Sequence, residues 1–334
     1  MTTTLSRRRL LFAAGVTAFA SILRPLSASA GLLDSLFGRV EAKATKPITL
    51  NEEFYLTSYR SPSTIRVHDW LLSVKGLVER PSRFTYEELL AKPTVSQIVT
   101  LECVGNTVAG EFIGTAEWTG ISLRGLLEDA GIHASGHDVV FRAADGFSDS
   151  IRLDRAMADD VLMAHGMNGV PLPQGHGFPV RIIVPGCYGM KSVQWLTEIE
   201  VVDHDYKGYY QQKGWSDEAI VKTTSRIDLP GHGTTLRGLR HRIEGLAFAG
   251  TRGISLVEIS LDGGEVWIPA TLDPPLSPAA WSFWSYDWTV QAAGRYHLAV
   301  RATDGTGWRQ SSIEQDPAPD GATGLHEVMV TVEG

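Results

Sequence analysis

Near residue 216 the hydrophobic pattern of this chain changes character. Downstream, Val257, Ile259 and Leu261 alternate with Glu258 and Ser260, and Tyr296, Leu298, Val300 and Ala302 alternate with His297, Ala299 and Arg301. Val328, Val330 and Val332 close the chain in the same manner. A period of two puts one set of side chains on one face of a strand, so this half can fold only as sheet. Asp262-Gly263-Gly264, set before Glu265-Val266-Trp267-Ile268, supplies a hairpin-type turn. Residues 217–334 therefore read as an independent all-β sandwich of immunoglobulin type, holding five of the nine tryptophans. Neither cysteine falls in it, so it lacks an antibody-style disulfide.

Upstream the signals are mixed. Trp70–Val78 reads as a strand, and Arg80-Pro81-Ser82 as a turn. Thr85 with Glu88 three residues on is a capping box that starts a short helix. Residues 96–101 look like a strand running into Cys103, and 122–130 like a helix stopped by Gly131. Short apolar strands are expected at 138–141 and 180–184, and a further helix at 154–165. Short strands among short helices predict an α+β domain over residues 51–216 rather than a regular βαβ repeat. Residues 31–50 read as a loose leader.

The first thirty residues have a different purpose. Ser6-Arg7-Arg8-Arg9-Leu10-Leu11, an apolar run to Leu23 and Ala28-Ser29-Ala30 make an export signal with a small-residue cleavage site. The run is short for a membrane span of about 20 residues. The arginines resemble a twin-arginine signal, a route for proteins already folded, with an ordinary export signal as the alternative. The expected location is the periplasm, and the expected partner the twin-arginine export machinery. Removing residues 1–30 takes away four arginines and no acids, which moves the formal charge from -8 to -12. Such an acidic protein is a poor match to nucleic acid.

Two cysteines, Cys103 and Cys187, cannot build a disulfide scaffold, a four-cysteine zinc site or a four-thiolate cluster. The sequence has no Cys-x-x-Cys-His for covalent haem, no glycine-rich dinucleotide or P-loop motif, no Gly-x-Ser-x-Gly and no His-Glu-x-x-His. Two segments still suggest chemistry. In Leu101-Glu102-Cys103-Val104-Gly105-Asn106 a cysteine sits at a strand end on a glycine-containing loop. Such a thiol is a nucleophile, a soft-metal ligand, or a small buried apolar residue. In Asn168–Trp195, glycine-rich turns carry His176, Arg181 and Lys191, which are donors for a phosphate or, on the blander reading, surface cations of a linker.

Taken in order, these segments resemble the sulfite oxidase family of molybdenum-cofactor enzymes from about residue 52 to the end. The matching motifs are Cys103-x-Gly-Asn with Glu117-Trp118-Thr119-Gly120, Asn168-Gly169-x-Pro-Leu-Pro, His176-Gly-x-Pro-Val-Arg181 and Tyr188-Gly-Met-Lys191-Ser-Val-x-Trp195. The sandwich is similar to the family's dimerisation domain. The resemblance implies molybdenum–molybdopterin as cofactor, with Cys103 as the sole protein sulfur on the metal. It implies that His176, Arg181, Gly189, Met190, Lys191 and Ser192 bind the pterin and its phosphate, with Tyr55 and Leu56 approaching through their backbone. Cys187 is left as a buried core thiol.

The family's substrate residues are altered. Thr57 and Thr107 stand where arginines are usual, Phe147 where a tyrosine is usual, and Gln194 in place of a lysine. Arg60 is a nearby substitute cation. The expected function is an exported two-electron oxygen-atom transferase, with molybdenum cycling between its VI and IV states and with sulfite itself doubted as substrate. A homodimer is implied, as is a separate c-type cytochrome as electron carrier. A sulfite dehydrogenase using that cytochrome, an S- or N-oxide reductase, a thiol enzyme using Cys103, and a cofactor-free binding scaffold are the alternatives.

Overall fold

The computed structural model describes residues 44–60 and 64–334. The export signal (1–30) and residues 31–43 of the leader lie outside the described residues. Residues 45–49 are not loose. Thr49 donates its N–H to the Thr115 carbonyl at 2.8 Å, and the Trp281 indole reaches the Pro47 carbonyl at 3.2 Å.

The described chain is mostly β, more so than the α+β expectation. It has three α-helices, Tyr86–Leu90, Leu123–Ala130 and Leu153–Ala156, among nineteen strands. Two helices start and stop where their caps demand. Thr85 and Glu88 close a reciprocal capping box, and Gly131 ends Leu123–Ala130 with a left-handed φ of 72°. The helix expected over 154–165 does not form. It stops at Ala156, an Arg155–Asp160 ion pair at 2.6 Å closes the turn, and Leu162–Met167 enters a sheet. A strand buried on both faces is apolar throughout, and periodicity cannot separate it from a buried helix.

The N-terminal half holds two five-stranded sheets. One runs Ser82–Phe84, Leu72–Gly76, Leu196–Val202, Asp138–Ala143, Ser148–Arg152. The other joins Val95–Glu102, Ile113–Ser122, Leu162–Met167 and Val170–Pro171, with Arg181–Ile183 on the far part of Leu162–Met167. The C-terminal half is a pair of sheets, of four and five strands. Their inner faces share one core, in which Ile243 and Trp284 of one sheet meet Val257, Leu298 and Val328 of the other. Each fully buried side chain of this size contributes about 1.5–3 kcal/mol.

The two halves pack against each other. A further buried cluster draws Val104, Ile113, Tyr188 and Met190 from the first half and Val221, Leu246, Phe248 and Trp281 from the second. Cys103 and the Gly189–Lys191 turn both adjoin that cluster in sequence, so the sandwich backs the site.

Candidate active site

Cys103 leaves the strand Val95–Glu102 and opens a tight loop. Its N–H donates to the Phe112 carbonyl at 2.9 Å, and its carbonyl accepts the Asn106 N–H at 2.9 Å. Asn106 holds the loop shut, giving its amide to Glu102 Oε1 at 2.9 Å and accepting the Phe112 N–H at 3.0 Å. That is the local reason for asparagine three residues after the cysteine. Gly110 is equally constrained, because a Cβ there would meet Asn106 Oδ1. Burial pushes the Cys103 thiol up, while hydrogen bonds from the Gly105 N–H and the Thr57 hydroxyl pull it down.

The Cys103 side chain lines a cleft. Several residues singled out from the sequence line it too: Thr57, Phe147, Gly189, Met190, Ser192 and Gln194. Thr107 does not, and borders a separate depression with Glu102 and Tyr188. Arg60 is exposed at the edge, its guanidinium 4.9 Å from the Tyr59 ring centroid. Leu56 is exposed and rests against Gly175. Cys187 is a buried thiol in the core of the N-terminal half.

Arg181 is the most unusual charge in the molecule. It is buried, it donates to the carbonyls of His176 and Ser192 at 3.0 Å each, and it stacks over Trp118. No carboxylate partners it among the described residues, and its Nε–H has no acceptor at all. Burial pulls its pKa down to about 10, and the nearby Tyr55 offsets this in part. A buried guanidinium with an unused donor is costly unless an anionic group completes it. This orphaned donor, which like the Cys103 thiol lies near Tyr55, fits an anionic cofactor that carries a soft metal. Among the described residues no three His, Cys, Asp or Glu side chains group as a metal site, so the chain offers one thiol rather than a cage.

The other expected cofactor contacts differ in kind. His176 gives Nε2–H to the Asn51 carbonyl at 2.7 Å, and burial lowers its pKa, so it is neutral and presents Nδ1 as acceptor. Lys191 spends its three protons on Asp149 Oδ1 at 2.8 Å, the Ser150 carbonyl at 2.9 Å and Asp217 Oδ1 at 3.3 Å. It anchors its turn and does not present a cation to the cleft. Gly189 permits that turn to approach, since a Cβ there would lie 2.9 Å from the Tyr55 hydroxyl. Gln194 reaches the Thr57 carbonyl at 3.4 Å and leaves its buried Oε1 unpaired.

Sequence reasoning missed Tyr210 and Asp145, which also line the cleft. Tyr210 packs 5.7 Å from Phe147, in one aromatic group with Tyr59 and Tyr209. Its only sequence signal was an aromatic pair in an irregular segment remote from Cys103.

Comparison with known proteins gives a consistent assignment. The "Oxidoreductase molybdopterin binding domain" family matches residues 59–210, and the "Mo-co oxidoreductase dimerisation domain" family matches residues 218–316. Nitrate reductase [NAD(P)H] of Hordeum vulgare is 32% identical over 298 residues, covering 70% of this chain and 33% of its own length. Nitrate reductase [NADH] 1 of Oryza sativa subsp. japonica is 33% identical over 301 residues, with the same shares. The chain thus spans about a third of the length of these relatives. The sulfane dehydrogenase SoxCD of Paracoccus pantotrophus superposes with a TM-score of 0.73 at 22% identity, over 99% of this chain and 97% of that one. At that identity the likeness concerns the fold.

Proposed function

This chain belongs to the sulfite oxidase family of molybdopterin-dependent oxidoreductases, and we propose that it is an exported two-electron oxygen-atom transferase whose metal is held by Cys103. That it is an oxidoreductase with a molybdenum–molybdopterin cofactor follows from the family. When bound, the cofactor supplies the two-electron oxygen-atom chemistry. The observation that carries the site assignment is the Cys103 thiol lining a cleft, with the buried, unpartnered Arg181 donor outside that lining and Tyr55 near both.

The residues divide the work. Cys103 is the soft ligand, held deprotonated by a metal's charge against the burial that otherwise keeps it a thiol. The Thr57 hydroxyl and Gly105 N–H hydrogen-bond to its sulfur. Arg181 binds the phosphate or pterin, and neutral His176 accepts a hydrogen bond through Nδ1. Gly189, Met190, Lys191 and Ser192 serve through their backbone and shape, with Lys191 locked from behind, and Tyr55 and Leu56 line the approach. Phe147 and Tyr210 wall the substrate space and exclude water, and Tyr210 supplies the hydroxyl that Phe147 lacks.

The remaining features follow the same reading. The C-terminal sandwich is of immunoglobulin type and pairs two subunits. The twin-arginine signal places the folded enzyme in the periplasm, where a separate c-type cytochrome exchanges its electrons. The test is elemental analysis of purified protein. Near-stoichiometric molybdenum, lost or silenced in Cys103→Ser, supports the reading; metal-free protein that cannot be reconstituted rejects it for the binding-scaffold alternative.

A further inference from the structure

Two cations stand on the aromatic group that adjoins the cleft, without a carboxylate partner among the described residues. The Arg60 guanidinium lies 4.9 Å from the Tyr59 ring centroid and reaches the Tyr59 hydroxyl at 3.3 Å. The Lys213 ammonium lies 4.9 Å from the Tyr209 ring centroid. The two rings are 4.4 Å apart, although the segments that carry them are remote in sequence. Both cations are exposed, whereas Tyr59 lines the cleft itself. Ring faces hold such cations in place without neutralising them.

Within the cleft the charge is different. No lysine or arginine lines it, and the one formally charged side chain there is Asp145, whose Oδ1 accepts the Phe147 N–H at 2.9 Å. The interior therefore disfavours an oxyanion, while the rim attracts one. We propose that Arg60 and Lys213 form an anion-docking rim, and that the substrate carries a carboxylate at a distance from an uncharged sulfur or nitrogen centre that enters the cleft. This rests on the molybdenum reading above for what happens to that centre. An inorganic oxyanion cannot use both regions, because its charge and its reacting atom coincide.

The test is equilibrium binding by calorimetry to the purified holoenzyme, with 4-(methylsulfinyl)butanoate and its methyl ester as probes. The two differ in one charge and share the sulfoxide. The carboxylate form should bind roughly tenfold more tightly at low ionic strength, since each exposed pairing is worth roughly a two- to fivefold factor. Arg60→Gln and Lys213→Gln should each remove part of that preference, and the double variant all of it. Raising the salt to about 0.15 M should shrink it in the wild type. Equal binding of the two probes, or a preference that survives in the double variant, overturns the proposal. Molybdenum is measured on the same preparations. Molybdenum-replete protein without the charge preference rejects the rim alone, and metal-free protein that keeps the preference rejects the molybdenum reading alone.

Discussion

The ammonium of Lys191 lies 2.8 Å from Oδ1 of Asp149, with the lysine side chain 2% and the aspartate side chain 0% exposed. Asp149 is on the strand Ser148–Arg152, next to the aromatic wall, and Lys191 ends the turn that borders Cys103. The pair therefore ties one side of the cleft to the other, and Asp217 links it to the start of the sandwich.

Removing Asp149 leaves the buried ammonium with Asp217 at 3.3 Å as its remaining carboxylate. Asp149→Ala should destabilise the protein by about 2–3 kcal/mol, below the roughly 3–5 kcal/mol of a fully unpaired buried charge because Asp217 remains, read from urea denaturation. An effect under about 1 kcal/mol would show that water reaches Lys191.

Cys103→Ser should fold with an unchanged circular dichroism spectrum and lose turnover. An alkoxide is a poorer soft-metal ligand than a thiolate. Full turnover by this variant on any substrate of the wild type would remove the ligand assignment.

Burial first, then the Cys103 and Tyr209 charges, pushes the Tyr210 hydroxyl up, so it stays a donor throughout the ordinary pH range. No hydrogen-bond partner takes that hydroxyl among the described residues. Tyr210→Phe should lower kcat about tenfold, the worth of one net hydrogen bond of about 1–1.5 kcal/mol. Unchanged steady-state kinetics would leave Tyr210 as wall only.

His326 accepts the Ile227 N–H on Nδ1 at 2.9 Å within the sandwich. Burial, with Arg226 and His232 nearby, pulls its pKa down to about 4, whereas in the unfolded chain it titrates near 6.5. Between these values the unfolded chain binds the extra proton. Its stabilising contribution is complete above pH about 6.5 and falls as pH drops toward about 4, by up to about 1.4 kcal/mol per unit. Denaturation at stepped pH should show this slope, and His326→Asn should flatten it.

Sulfite should be a poor substrate. Thr57 lines the cleft where the family resemblance implies an arginine, and Asp145 adds a negative charge there. Losing even about 2 kcal/mol of transition-state stabilisation costs roughly 30-fold. Oxidised enzyme mixed with millimolar sulfite under anaerobic conditions should not lose its absorption within milliseconds; rapid bleaching would restore a sulfite dehydrogenase.

The local order of this protein was legible in its sequence, because caps, turns and strand alternation depend on neighbours only. Thr85 with Glu88, Gly131 after its helix, and the alternation about Val257 and Leu298 all form as those rules require. So were the segments around Cys103 and Arg181, whose glycine and asparagine patterns resemble one family. The tertiary structure alone decided what those residues face. Lys191 looked like a free cation and is neutralised by Asp149 and Asp217, while Arg181 is left without a carboxylate. It also decided that residues 162–167 are strand and that Tyr210 joins Phe147. The physical reason is common to these cases: partner and burial are set by chain segments that meet only on folding, and no local pattern encodes which segment that will be.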